Sequence, residues 1–329
     1  EDGIRDIGVT GVQTCALPIC KDQSPLHAVR GVDFALGSGE RLGIVGESGS
    51  GKSLTALSIM RLLHRPYFIK GKVSLEGKDL YSLSDREMAK VRAQELGIVY
   101  QDPTSSLNPV FSIGDQIIEA IRLAEKVSLN EAKDRAISLL REVGVSDAKN
   151  RIDDYPHQFS GGMRQRVMIA MAISTNPKLL IADEPTTALD VTTQARVIEL
   201  LHKIVEDRGI AVILITHDLG VASSFCDRLA VMYGGRFVEE GLTSHVINSP
   251  IHPYTSALVN SICTMSMDIS KPISAIGGQP PNLSNLPTGC SFNPRCAIAN
   301  KEKCVSEIPI LREISKGRTA ACHRVGSHE

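Results

Sequence analysis

Apolar positions along this chain change period repeatedly, and the changes mark out a string of short elements from residue 28 onward. Residues 32–36 alternate in strand fashion and Gly37-Ser38-Gly39 turns the chain. Arg41-Leu42-Gly43-Ile44-Val45 then reads as a buried strand entering a glycine-rich loop. Residues 53–63 predict a helix stopped near Pro66, and residues 73–77 and 97–100 read as short strands. Two amphipathic helices fit between residues 113 and 143, split around Val127-Ser128-Leu129-Asn130, where Ser128 or Asn130 can cap the second. Residues 163–174 read as a helix, 178–183 as a buried strand, 192–207 as a helix, and 211–216 and 229–233 as further strands. Strands alternating with helices predict an α/β domain with a mainly parallel core sheet, into which the helical stretch 101–160 is inserted. Past Gly241 the pattern changes: helices at 244–248 and 254–262 lead into a Gly/Pro-rich segment, 277–287, and a cysteine-bearing tail.

With 329 residues, 42% of them apolar, the chain has room for one large domain or two unequal ones. A net charge of −1, from 36 basic and 37 acidic residues, gives no bulk electrostatic reason to expect nucleic acid or anionic lipid as a partner. No apolar run approaches the ~20 residues needed to span a bilayer, so any membrane role is expected to be that of a peripheral subunit. The first six residues include three acids and Pro18 breaks the short apolar run behind them, which does not read as a signal peptide. The string Gly8-Val9-Thr10-Gly11-Val12-Gln13-Thr14-Cys15-Ala16-Leu17-Pro18-Ile19 resembles a translated sequencing adapter. Residues 1–20 are therefore expected to be non-native and are left out of the expected fold. Of eight cysteines, Cys15 and Cys20 lie in that segment, while Cys226 and Cys263 sit in apolar surroundings and read as buried free thiols. Cys290, Cys296, Cys304 and Cys322 remain, all in the last forty residues. Without a secretion signal, a cytosolic, reducing compartment is the expectation.

Gly46-Glu47-Ser48-Gly49-Ser50-Gly51-Lys52-Ser53 is a complete phosphate-binding loop with a strand before it and a helix after. Its glycines let backbone N–H groups turn inward around phosphates, and the helix N-terminus adds partial positive charge. Lys52 is expected to reach the β- and γ-phosphates of ATP and Ser53 to ligate Mg²⁺. Asp183 and Glu184 end an apolar strand; adjacent carboxylates there suit Mg²⁺ binding by Asp183 and activation of the attacking water by Glu184.

From residue 21 to about 325 the chain resembles the ATPase subunits of ABC transporters, and the motif order matches throughout. Phe159-Ser160-Gly161-Gly162-Met163 is similar to the family's signature loop, with Phe159 and Met163 replacing the more usual leucine and glutamine. The resemblance implies a nucleotide-binding domain with a RecA-like core, an antiparallel β subdomain and a helical subdomain. The domain would span 21–241, with the helical part at about 102–165, and a small C-terminal extension would span 242–329. It implies nucleotide contacts from Gly46 through Lys52, Ser53 and Leu54, and from Ser160, Gly161, Gly162 and Asp190 of the loop Ala188-Leu189-Asp190. It implies Mg²⁺ contacts from Ser53, Gln101 and Asp183, and catalytic roles for Glu184, His217, Lys52 and Gln101. Each ATP would be shared between two domains closed face to face. The family also stacks adenine on an aromatic ring, but no aromatic precedes Phe34 and the slot falls near Ile19 or Cys20.

The string from Gln101 to Pro109, the segment His252-Pro253-Tyr254-Thr255 and the cysteine tail resemble the dipeptide and oligopeptide importers within that family. Importers of nickel or other small solutes share much of this pattern. Implied partners are a second, related ATPase chain, two membrane-spanning permease subunits and, indirectly, an extracytoplasmic binding protein. The implied location is the cytoplasmic face of the inner membrane. A non-transport ABC ATPase is the main rival, but the chain has neither a long coiled-coil insertion nor a second ATPase domain. An inert interaction module is disfavoured because Lys52, Glu184 and His217 are all present. The tail spacing, Cys290-x5-Cys296-x7-Cys304-x17-Cys322, is expected to bind a [4Fe–4S] cluster, with Zn²⁺ or unligated thiols as alternatives.

Overall fold

A computed structural model describes residues 10–21, 24–63, 69–187, 189–261, 276–300 and 302–325, with 10–21 and 24–26 as backbone alone. The chain folds as two interleaved compact units.

The first unit contains Leu36–Glu40 and Leu75–Leu214. Its strands Leu96–Val99 and Leu179–Asp183 pair in parallel, Leu96 opposite Leu179 and Val99 opposite Ala182. All five residues of Leu179–Asp183 are buried, as a continuous apolar run requires of a core strand. Helices Ile113–Ala124, Leu129–Glu142 and Gly161–Ile173 pack on one another. Ile113, Ile117 and Ile121 repeat every four residues and are fully buried, each contributing about 1.5–3 kcal/mol of transfer free energy. Of the two expected caps, Ser128 is used: its hydroxyl accepts the Glu131 N–H at 3.2 Å. Ser112 does the same for the preceding helix through the Asp115 N–H at 3.0 Å. Satisfying these otherwise orphaned amides lets a polar linker sit between two amphipathic helices.

The second unit contains Gly11–Ala35, Arg41–Ser74 and Ile215–Glu329. Strand Arg41–Val45 lies parallel to Arg228–Tyr233, which turns through Gly234-Gly235 into the antiparallel strand Arg236–Leu242. That strand pairs in turn with Arg318–Ala320, and Arg318–Ala320 with Arg312–Ser315. The last three strands lie outside the sequence expectations. Helix Lys52–Ile59 is shorter than the expected 53–63, because Met60 closes it and Arg61 takes a left-handed φ of 50°. Helix Pro253–Asn260 occupies most of the expected 254–262, of which residue 262 lies outside the described residues. The backbone of Thr10–Lys21 is a strand, antiparallel to Ser24–Arg30 and to Lys70–Leu75. The segment left out of the expected fold thus takes part in a sheet. Its side chains, and with them the adenine slot at Ile19 or Cys20, lie outside the described residues.

Candidate functional site

In the second unit, buried strand Arg41–Val45 delivers the chain into the phosphate loop. Gly46 has φ 153°, and a Cβ there would stand 2.2 Å from the Met232 carbonyl oxygen. Only glycine fits. Lys52 is 4% exposed, and its ammonium bends back to donate to the carbonyls of Gly46 at 2.8 Å and Glu47 at 3.0 Å. The loop therefore wraps its own cation. The Ser50 hydroxyl is buried among these groups with no hydrogen-bond partner, a donor left over for an anion. Ser53 and Leu54 follow in the first turn of helix Lys52–Ile59, whose N-terminal end carries partial positive charge. A held ammonium, a helix N-terminus, an unused hydroxyl donor and a backbone too close at Gly46 and Gly51 for side chains fit the phosphate groups of a nucleotide. His217 follows strand Ala211–Thr216 and is exposed; the neighbouring Asp218 caps helix Leu219–Phe225.

The first unit holds the paired carboxylates. Asp183 and Glu184 are each 9% exposed at the end of their buried strand. Glu184 adopts φ 48°, a left-handed conformation unusual for a side chain with a Cβ. Strain of this kind costs of order 1 kcal/mol and persists where the surroundings enforce it. Here Gln101 donates its amide Nε2 to Glu184 Oε2 at 3.0 Å, and the Thr187 hydroxyl donates to the same oxygen at 2.9 Å. The structure thus brings Gln101 and Glu184 together across 83 residues of sequence. Thr187 was not anticipated, although it stands three residues after the carboxylate.

Ser160 is the N-cap residue of helix Gly161–Ile173, is exposed, and makes no side-chain cap bond. Gly161 faces open space, whereas a Cβ on Gly162 would meet the Thr193 methyl at 2.6 Å. The two replaced positions of this loop share one partner, Arg151. Its guanidinium lies 4.2 Å over the buried Phe159 ring and contacts the Met163 sulfur at 3.6 Å. Asp190 caps helix Val191–Arg208 through the Thr193 N–H at 3.0 Å, and the Thr193 hydroxyl and N–H hold its carboxyl below the usual carboxylate range. Ala188 lies outside the described residues.

The expected cysteine cluster finds no support. Among the described residues, no group of three or more His, Cys, Asp or Glu side chains is placed to hold a metal ion. The four tail thiols are near enough for Cys304, Cys322 and Cys296 each to raise the pKa of Cys290. Burial dominates, however, pushing Cys290 up to about 11 and raising Cys296 and Cys322 as well. Cys226 is a buried free thiol, as expected, while Cys263 lies outside the described residues.

Sequence reasoning missed the groups around Glu47. Its N–H donates to the Tyr254 hydroxyl at 2.9 Å, and Arg295 grips its carboxylate with both terminal nitrogens, at 2.7 and 2.9 Å. The only available signals were Tyr254 within His252-Pro253-Tyr254-Thr255 and Arg295 within Asn293-Pro294-Arg295.

Residues 29–187 match the ABC transporter family model, and residues 238–304 match the oligopeptide/dipeptide transporter C-terminal region. The chain is 48% identical over 289 residues to the oligopeptide transport ATP-binding protein OppD of Bacillus subtilis, covering 87% of this chain and 81% of the relative. It is 47% identical over 304 residues to AppD of the same organism, an oligopeptide transport ATP-binding protein, covering 92% of each. Among solved structures it is similar to the ATP-binding cassette MJ0796, a dimer in a post-hydrolysis state bound to ADP and Pi. There the TM-score is 0.64 at 29% identity, over 71% of this chain and 98% of that one.

Proposed function

The chain belongs to the ABC transporter family of ATP-binding proteins, and from that premise we propose that it is the ATP-hydrolysing subunit of a peptide importer. The observation that carries the reading is Glu184, a buried carboxylate fixed by Gln101 and Thr187 at the end of a core strand. A base so oriented suits abstraction of a proton from a water molecule. The water oxygen bonds to the γ-phosphorus, the bond from that phosphorus to the ADP oxygen breaks, and the water proton passes to Glu184. Gln101 and Thr187 hold the accepting carboxylate still. Lys52 and the loop amides from Gly46 to Ser53 neutralise the phosphate oxygens, and His217 donates to the γ-phosphate. Ser53, Asp183 and Gln101 are the residues that would hold Mg²⁺, which supplies further neutralisation of the triphosphate.

Ser160, Gly161 and Gly162 at one helix N-terminus, and Asp190 at the N-terminus of helix Val191–Arg208, serve the nucleotide bound by a second domain. The uncapped Ser160 and the open space at Gly161 support that role. We assign 21–241 to the catalytic domain, with its helical part at about 102–165, and 242–329 to the importer-specific extension. The second domain is a related chain, and the pair drives two permease subunits supplied by an extracytoplasmic binding protein. Among the described residues no helix is long and apolar enough to cross a membrane, and we place the subunit peripherally at the cytoplasmic face, beneath the permease. The matched C-terminal region and the relatives named for oligopeptide transport favour peptides as cargo.

Glu184→Gln tests the reading, because it keeps the hydrogen bonding capacity of one oxygen and removes the base. Hydrolysis is expected to fall at least about 100-fold with ATP binding retained. Hydrolysis near the wild-type rate would refute it.

A further inference from the structure

Glu47 is the second residue of the phosphate loop, and every polar part of it is held. Its N–H goes to Tyr254, its carbonyl accepts from Lys52, and its carboxylate is gripped by the Arg295 fork. Tyr254 and Arg295 both come from the C-terminal region, 207 and 248 residues away. Arg295 is itself fixed. Its side chain is 5% exposed, Nε donates to the Gly277 carbonyl at 2.8 Å, and Nη1 donates to the Tyr233 hydroxyl at 3.2 Å. Phe292 packs edge-on to Tyr233 and against Tyr254, so the arginine stands on an aromatic base. The bidentate bond to Glu47 raises the Arg295 pKa. This pair is therefore a fixed, charged link between the tail and the loop that wraps Lys52.

A carboxylate in a phosphate-binding loop is chemically awkward, because it opposes the charge the loop must accept. Its neutralisation is the function of the link. Resting on the ATP reading of the loop, we infer that Arg295 is a positioning residue for nucleotide binding: it fixes the loop through Glu47 and cancels that carboxylate's repulsion of the triphosphate. Lysine cannot reproduce the fork, so the geometry explains an arginine there. The C-terminal region thereby acts on nucleotide affinity without touching the nucleotide.

The test is a set of nucleotide titrations and steady-state ATPase measurements on the full chain, with thermal melts to establish folding. Arg295→Ala is expected to raise the Kd and KM for ATP about tenfold, and Arg295→Lys about threefold, with kcat within about twofold of wild type. The loss is expected to be smaller for ADP than for ATP, since repulsion scales with phosphate charge. Adding Glu47→Gln to either arginine variant should restore ATP affinity to within about threefold of wild type, because the uncompensated charge is gone. If Arg295→Ala does not fold, Arg295→Lys with and without Glu47→Gln carries the same comparison. Unchanged ATP affinity in the arginine variants overturns the inference. So does an equal loss for ATP and ADP that Glu47→Gln does not relieve, which would mark the pair as merely structural. A wild-type chain that binds no nucleotide would instead overturn the ATP reading, and this inference with it.

Discussion

Replacing Gly46 with alanine tests whether backbone clearance shapes the phosphate loop. The added methyl would sit 2.2 Å from the Met232 carbonyl oxygen and 3.3 Å from the Ser50 hydroxyl oxygen. Carbon and carbonyl oxygen approach no closer than about 3.3 Å without strain, so loop and strand must separate by about 1 Å. Met232 belongs to strand Arg228–Tyr233, which is bonded on both sides, to Arg41–Val45 and to Arg236–Leu242. That strand cannot retreat cheaply, and the loop must move instead. Overpacking of this kind costs about 1–3 kcal/mol of stability. A displacement of about 1 Å in a group that positions substrate lowers turnover about 100-fold. Gly49→Ala is the control: φ is again positive, at 77°, but the methyl meets nothing within 4 Å. It should bear only the conformational penalty, about 1 kcal/mol. Nucleotide titration, steady-state ATPase kcat/KM and a thermal melt on both variants make the comparison. Should Gly46→Ala keep kcat/KM within about twofold of wild type while Gly49→Ala loses more, clearance against Met232 does not set the loop, and the reasoning fails.

The buried His252 makes stability pH-dependent. Its ring accepts the Tyr254 N–H at Nδ1, 3.0 Å away, and burial lowers its pKa to about 3. The unfolded chain, near the ordinary value of about 6.5, binds the proton first, so stability is fully present above that value and is lost as pH falls from there toward 3. At pH 5 the loss is about 2 kcal/mol; thermal melts of wild type and His252→Asn should diverge in slope between pH 7 and 5, and parallel curves would count against it. Glu239 is fully buried and accepts from the N–H groups of Ile251 and His252 and from the Arg318 guanidinium at 2.9 Å. Glu239→Ala strands a buried cation and should cost about 3–5 kcal/mol in chemical denaturation, whereas a cost below about 1 kcal/mol would contradict the network. Zinc and iron analysis of anaerobically purified protein decides the cysteine tail: a brown protein with about four irons per chain establishes a cluster there, and protein free of both metals excludes one.

What the sequence discloses follows the range of the interaction that enforces it. The phosphate loop was legible because its pattern is local: its glycines, lysine and serine fall within eight consecutive residues, with a strand before them and a helix after. The Ser128 cap was legible for the same reason, since donor and acceptor lie three residues apart. Helix Lys52–Ile59 was overread, because the apolar spacing continues past the point where Arg61 turns left-handed. The tail shows the limit most sharply. Cysteine spacing suggests ligation, yet what the fold shows there is a backbone bond from the Cys290 N–H to the Cys304 carbonyl at 2.9 Å, with Cys304 buried and Cys290, Cys296 and Cys322 half-buried. Arg295, between two of those cysteines, offers only the short string Asn293-Pro294-Arg295, which names no partner. Its meaning comes only from a carboxylate 248 residues earlier. A residue whose role is to correct the charge of a distant loop becomes visible only once the fold has brought the two together. The part of the tail least explained by spacing is thus the part placed to act on ATP.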